Sequence, residues 1–215
     1  MKISIITVVY NNKYTIQDTM NSVLSQNWGD LEYIIVDGES EDGTIEIIEK
    51  TVERYPNKNI IFISEKDDGI YDAMNKGIQI AKGEVIGFLN GDDIYNHNNV
   101  LNRIASVFIN PLIDVCYADL IYVDKFDIDK VIRFWHSCEY QNGLFSRGWA
   151  PPHPTFYARK EVYEKYGGFD LSYRMGNDVD LMMRFLSKYE LNSVYLPEIF
   201  VRMRIGGVSN RKVIN

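Results

Sequence analysis

Short β-branched runs alternate with segments of helical period through the first half of this chain, and no other feature constrains its fold as tightly. Ser4–Tyr10 is a continuous apolar run, and Glu32–Val36, Asn59–Ser64 and Glu84–Leu89 repeat the pattern. Between them, Tyr14–Gln26 carries Ile16, Met20, Val23 and Leu24 at helical spacing. Asp42-Gly43-Thr44 opens a second helix that runs through Glu53, and Asp68–Lys82 reads as a third, ended by Gly83. Strands alternating with helices predict right-handed βαβ units and a mostly parallel sheet, an α/β fold.

The second half is less regular. Asp114–Asp124 and Val131–Trp135 read as strands, and His136–Pro154, rich in Gly, Pro and aromatic residues, reads as a loop. Lys160–Tyr166 is a short helix closed by Gly167-Gly168, and Asp178–Lys188 is a longer one. Ser193–Leu196 and Ile199–Arg204 read as two further strands. There is no internal repeat, low-complexity tract or linker, so the expectation is one domain over residues 1–215.

Composition narrows the partners. A net charge of −7 and a pI of about 5.0 argue against nucleic acid. Cys116 and Cys138 are in no metal-like spacing and imply no disulfide framework, so a reducing cytoplasm is the expectation. The N-terminal apolar run is too short for a secretory leader, and no apolar stretch approaches the ~20 residues that span a bilayer. After Glu198 the chain has no acid but carries Arg202, Arg204, Arg211 and Lys212. This segment reads as a solvated tail; the alternative is contact with anionic lipid headgroups, at about 1 kcal/mol per basic residue.

In open parallel sheets ligands bind beyond the carboxyl ends of the strands. That rule selects Thr7 to Asn11, Asp37-Gly38 and Asn90-Gly91-Asp92-Asp93. Paired carboxylates after a buried strand suit Mg²⁺ or Mn²⁺, which combine one or two carboxylates with substrate phosphates. The same four residues are also good turn formers. Neither G-x-G-x-x-G nor G-x-x-x-x-G-K-[ST] occurs, so a diphosphate here would rely on a metal. On the third helix Asp72, Asn75, Lys76 and Gln79 share one face, and Asp72 and Asn75, near its start, are expected to reach the same ligand. Asp178 shares a helix face with Leu181, Met182 and Phe185; it reads equally as an ionised general base or as a helix cap. Trp149 and His153, in the aromatic loop, are candidates for sugar stacking as well as for packing.

These segments together resemble glycosyltransferase family 2, the group with the GT-A fold. SIITVVYN resembles the family's first strand, and VDGESEDGT the segment that carries its base-binding Asp. EKDDGIYDAMNKGIQIAKGEVIGFLNGDD resembles the stretch that ends in the D-x-D region. PPHPTFYARKEVYEKYGGFD and GNDVDLMMRF resemble the acceptor half with its catalytic-Asp helix, and GGVSN fits the bacterial surface-polysaccharide enzymes.

The resemblance implies a nucleotide-sugar-binding half, residues 1–95, and an acceptor-binding, catalytic half, residues 96–215. Thr7 and Tyr10 would line the donor base, Asp37 would bond to uracil, Asp92 would bind Mn²⁺ or Mg²⁺, Asp93 would support that site, and Asp178 would be the general base. Trp149 and His153 would meet the acceptor. Two departures stand out: Asn90 replaces the first Asp of D-x-D, where it would contact the donor ribose, and Asn177 replaces the acidic neighbour of Asp178. The implied reaction is inverting transfer of a hexose or N-acetylhexosamine from a UDP-sugar to a lipid-diphosphate-linked or surface-polysaccharide glycan at the inner face of the cytoplasmic membrane. The competing expectations are a sugar-nucleotide nucleotidyltransferase and a non-catalytic nucleotide-sugar-binding subunit.

Overall fold

The structure is a computed structural model that describes residues 1–173 and 175–206. Its front half runs β1 (Ile3–Val9), α1 (Ile16–Leu24), β2 (Leu31–Asp37), α2 (Thr44–Arg54), β3 (Asn59–Ser64), α3 (Ile70–Ile80) and β4 (Val85–Phe88). There follow β5 (Ile94–Tyr95), α4 (Val100–Phe108), β6 (Val115–Val123), β7 (Val131–Trp135), β8 (Tyr157–Arg159), α5 (Lys160–Tyr166), α6 (Asn177–Met183) and β9 (Ser193–Arg204).

All the strands join one sheet in the order β3-β2-β1-β4-β8-β6-β9-β5, with β7 paired to β6. The long ladders, β1 with β2, β2 with β3, and β6 with β9, are parallel, and β4 joins β1 in the same sense. The antiparallel ladders of β8, β5 and β7 are short. This is the expected mostly parallel α/β sheet.

Every residue of β1 is buried, as a central parallel strand requires. Its side chains still alternate between faces. Ile3, Ile5 and Val9 pack with Ile16 and Met20 of α1, Ile48 of α2 and Leu101 and Ile104 of α4. Ile6 and Val8 pack with Ala73 and Met74 of α3, Val162 of α5 and Leu181 and Met182 of α6. Gly77 lets α3 lie close on β1, because a Cβ there would stand 2.5 Å from Ile6 Cγ2.

Three elements differ from expectation. Helix α4 is not among the expected elements, although Val100, Leu101, Ile104, Ala105 and Phe108 recur at helical spacing and are all buried. Strand β8 is three residues long and has no period to detect. The two expected C-terminal strands are one strand, β9, with irregular register: Leu196 pairs Ala118, and Ile199 pairs the next residue, Asp119. Pro197, which lacks an N–H, falls in that bulge.

The basic C-terminal stretch is no solvated tail where it is described. Arg202 bonds to Asn96 Oδ1 and to Asp129, and Arg204 is buried on β9. Both side chains are drawn inward by acceptors that lie far away in sequence. Arg211 and Lys212 lie outside the described residues. Among the described residues no helix is long and apolar enough to cross a membrane.

The β4–β8 junction yields a stability test. Gly87 pairs Tyr157, and a Cβ at Gly87 would lie 2.1 Å from the buried Tyr157 ring, whose hydroxyl is held by Tyr95. Gly87→Ala is expected to cost about 1–3 kcal/mol by overpacking. Thermal unfolding followed by circular dichroism should show Tm lowered by several degrees. A wild-type Tm would mean that the ring moves freely and does not hold this junction.

Candidate active site

Strand β1 is flanked by β2 on one side and β4 on the other, and the connections of those strands diverge from it. A crevice therefore opens beyond its carboxyl end. A cleft of about 510 Å³ occupies that crevice. Val8 to Asn12 line one wall, Asn90, Gly91 and Asp92 the floor, Asp67, Gly69, Ile70 and Ala73 a second wall, and Lys125 with Met203 to Gly206 the far side.

The walls are held by backbone bonds between loops. Asn11 N–H donates to Ser40 Oγ, Asn12 N–H to Thr44 Oγ1 and Lys13 N–H to Asp42 Oδ2. Glu41 N–H returns a bond to Asn11 Oδ1. Asn11 and Glu39 adopt φ of 50° and 60°, a left-handed conformation that costs energy for residues with a Cβ and persists where surroundings fix it.

Asp37 is fully buried beneath this wall. Its carboxylate accepts from Ser40 N–H at 2.9 Å, Ser40 Oγ at 2.5 Å and Ser64 Oγ at 2.8 Å. In this arrangement Asp37 shapes the loop rather than facing the cleft. The carboxylate that does face it is Asp67: a Cβ on Gly38 would stand 2.7 Å from Asp67 Oδ2 and 3.4 Å from the Tyr10 ring. Tyr10, 65% exposed, thus forms one end of the cleft with Asp67. Thr7 lies under the floor, accepting from the buried Tyr33 hydroxyl.

At the other end the two adjacent carboxylates behave differently. Asp93 is fully buried, and burial together with the charge of Asp92 pushes its pKa well up. Asp93 Oδ2 accepts from Asn90 Nδ2 at 3.2 Å. Asp92 is half-buried and lines the cleft. Burial raises its pKa too, while Arg204 and Lys125 pull it down. Arg204 is anchored by bonds to the Asp92 carbonyl at 2.8 Å and to Asp18 Oδ2 at 2.6 Å. Asn90 Oδ1, Asp93 Oδ1 and Arg204 Nε are buried without a hydrogen-bond partner, a concentration of unmet polar groups beside one cleft.

No group of three or more His, Cys, Asp or Glu side chains that could hold a metal occurs among the described residues. The donor set at this end is the Asp92 carboxylate, with the unpaired Asn90 carbonyl beside it. It fits a divalent ion whose shell is completed by phosphate oxygens, and does not fit a site built from protein alone.

Asp178 stands half-buried on α6, and its Oδ1 accepts from the Tyr71 hydroxyl at 3.1 Å. The helix begins at Gly176 with no side-chain cap bond, so Asp178 does not serve as its cap. Asn177 is buried and donates to the Tyr173 carbonyl. His153 is buried against Phe88, 5.4 Å between ring centroids, and against Phe169 at 5.6 Å. Desolvation lowers its pKa, and the charge of Asp178 works in the opposite direction.

The remaining expected residues do not meet the cleft. Asp72 turns back on its own helix start, accepting from Asp68 N–H at 3.1 Å and pairing with Lys76 at 3.6 Å. Asn75 is engaged on both amide atoms by the Phe169 backbone, each at 2.9 Å. Trp149 packs edge-on against Tyr117 and Phe145, with its indole N–H buried and unpaired. Conversely, the sequence reading missed Asp67, Tyr71, Lys125 and Arg204. Asp67 follows the carboxyl end of β3 and was within reach of the strand-end rule; the other three have no local signal.

Comparison with known proteins places the chain in a family and a fold. The family described as "Glycosyl transferase family 2" matches residues 4–175. A PGL/p-HBAD biosynthesis glycosyltransferase of Mycobacterium bovis (strain BCG / Pasteur 1173P2) is 30% identical over 210 residues, 96% of this chain and 78% of the relative. Glycosyltransferase AglE of Haloferax volcanii is 38% identical over 181 residues, 82% of this chain and 59% of the relative. Among solved structures, the mannosyltransferase PcManGT of Pyrobaculum calidifontis, in complex with GDP-Man and Mn²⁺, superposes with a TM-score of 0.75 at 16% identity. That match covers 97% of this chain and 58% of PcManGT. S. aureus TarS 1-349 in complex with UDP-GlcNAc gives a TM-score of 0.72 at 20% identity over 95% of this chain and 58% of that one. The fold is thus that of the GT-A glycosyltransferases, and the chain belongs to glycosyl transferase family 2.

Proposed function

We propose that this chain is an inverting transferase that moves a hexosyl or N-acetylhexosaminyl group from a UDP-sugar to a hydroxyl of a lipid-linked or surface-polysaccharide glycan at the inner face of the cytoplasmic membrane. The observation that carries the reading is the cleft at the β1/β4 crevice, with Asp92 on its floor and helix α3 leading from its wall to Asp178. In a glycosyltransferase of this family, such a cleft suits a nucleoside diphosphate.

Within this reading Tyr10 and Asp67 meet the uracil end, backed by the loop that Asp37 and Thr7 support. Asn90 meets the ribose or diphosphate, and Asp92 would hold Mn²⁺ or Mg²⁺ at that end of the cleft. The bound ion would neutralise charge on the leaving diphosphate. Arg204, anchored by Asp18 and the Asp92 carbonyl, and the exposed Lys125 are the cations on the same side of the cleft. Asp93 lies buried beneath Asp92, bonded to Asn90, and backs the turn that carries it. Asp178 accepts the proton of the acceptor hydroxyl as its oxygen bonds to the anomeric carbon. The bond from that carbon to the diphosphate breaks, and the nucleoside diphosphate leaves with the electron pair. One displacement inverts the anomeric centre. His153, buried against Phe88 and Phe169, and Trp149 support the acceptor side from behind. The Mycobacterium relative is named for PGL/p-HBAD biosynthesis, and the UDP-GlcNAc bound to TarS 1-349 is in keeping with a UDP-linked donor.

Asp92 is the one carboxylate lining the Asn90–Asp92 end of the cleft, with Asp67 at the other end, and a lone carboxylate there predicts that metal and nucleotide bind together. Calorimetric titration should find weak binding of Mn²⁺ alone and tight binding in the presence of UDP, with Asp92→Ala losing the cooperative component. Turnover in EDTA equal to that in Mn²⁺ would rule out the metal. For the base, Asp178→Asn should leave Tm and UDP affinity near wild type and lower kcat by at least ~100-fold. Near-normal turnover of that variant would sink the catalytic assignment.

A further inference from the structure

We propose that Tyr71 is a positioning residue for Asp178, and that its hydroxyl fixes which carboxylate oxygen faces the acceptor; the inference rests on the reading of Asp178 as the base. Among the described residues, Tyr71 donates the one side-chain hydrogen bond to the Asp178 carboxylate, at Oδ1 and 3.1 Å. The residues on either side of Asp178 do not hold its side chain: Asn177 is turned to the Tyr173 carbonyl, and Val179 is exposed. A carboxylate has a broad, roughly two-fold terminal torsion. A half-buried Asp without a partner would therefore sample orientations that point neither oxygen at the acceptor. With Oδ1 held by the phenol, Oδ2 is the oxygen left to accept the proton.

The phenol is itself well placed to act as a fixed point. Its ring packs on Phe169, 5.4 Å between centroids. Phe169 is locked in turn by the two bonds from Asn75, one turn further along α3, and by its edge-on contact with Phe88. Tyr71 keeps its proton: burial, then the charge of Asp178, push its pKa up to about 12. It donates throughout the reaction, and the acceptor proton goes to Asp178 alone.

The place of Tyr71 in the fold adds a consequence. Gly69, Ile70 and Ala73 of the same segment line the donor cleft. One rigid helix thus carries the donor wall on one side and the anchor of the base on the other. Gly77 seats that helix directly on β1. The separation between donor carbon and base is set by α3 rather than by the loop that precedes α6.

Tyr71→Phe tests this, because it removes the hydroxyl and leaves the ring on Phe169. The expected result is a fall in kcat of roughly 10–100-fold from misaligned attack, with UDP affinity, acceptor KM and Tm near wild type. The decisive measurement is the double variant. If Tyr71 acts through Asp178, adding Tyr71→Phe to Asp178→Asn should lower the residual turnover no further. An equal fold-loss in both backgrounds would overturn the proposal, since Tyr71 would then act independently of the base. Wild-type turnover of Tyr71→Phe, or a lowered Tm that accounts for its lost activity, would overturn it as well. Failure of the base reading is recognised separately, by normal turnover of Asp178→Asn alone.

Discussion

Everything at the functional edge depends on the position of β1 between two parallel partners. All seven of its residues are buried, so its backbone groups must be met within the sheet, and the ladders to β2 and β4 meet them on both sides. At its carboxyl end the ladders stop and the neighbouring connections part. The backbone there turns instead to local partners: Gly38 N–H to the Val9 carbonyl and Gly91 N–H to the Val8 carbonyl. Those two bonds draw the Asp37 loop and the Asn90–Asp93 turn to the same strand end. The cleft between them follows from strand order and needs no dedicated phosphate loop.

The electrostatics of the cleft follow from unequal burial of two adjacent acids. Two ionised carboxylates side by side would repel each other, and burial penalises the inner one most. The pKa of Asp93 is accordingly pushed well up, while Asp92, also raised by burial, has Arg204 and Lys125 working in the opposite direction. Arg204 is buried at the same place, with Asp18 and a backbone carbonyl holding two of its guanidinium nitrogens. The strand that delivers it, β9, is the one whose register is irregular against β6, and β5 closes the sheet over its end. An acidic chain thereby places a cation where a nucleoside diphosphate would need one.

The two halves are joined by more than the sheet. Asn75 on α3 grips the Phe169 backbone, and Arg184, just after α6, bonds to the carbonyls of Tyr166 and Gly168 while pairing with Asp180 at 2.8 Å. The 166–169 turn is fixed from both sides, and α6 is fixed relative to α3. Asn75, polar and near a helix start, resembled a ligand-binding residue in sequence. Its work is mechanical, because a paired amide can satisfy one N–H and one C=O of a passing backbone at once.

The sequence by itself determined the alternation of strands and helices, the buried face of each, and the residues that follow each strand. Tyr10, Asn90 and Asp92 were legible for that reason: a residue after a buried parallel strand is at the binding edge whatever the strand order. Tertiary structure decided which of those residues face the cleft and which lie beneath it. Thr7, Asp37 and Asp93 are under the surface: Tyr33 and Ser64 reach Thr7 and Asp37 from other strands, while Ser40 and Asn90 meet Asp37 and Asp93 within their own turns. Tyr71, Lys125 and Arg204 join the site, and Asp72 and Asn75 leave it, through contacts that span up to 186 residues of sequence. Hydrophobic periodicity fixes which side of an element is buried, but it carries no information about which other element will cover it.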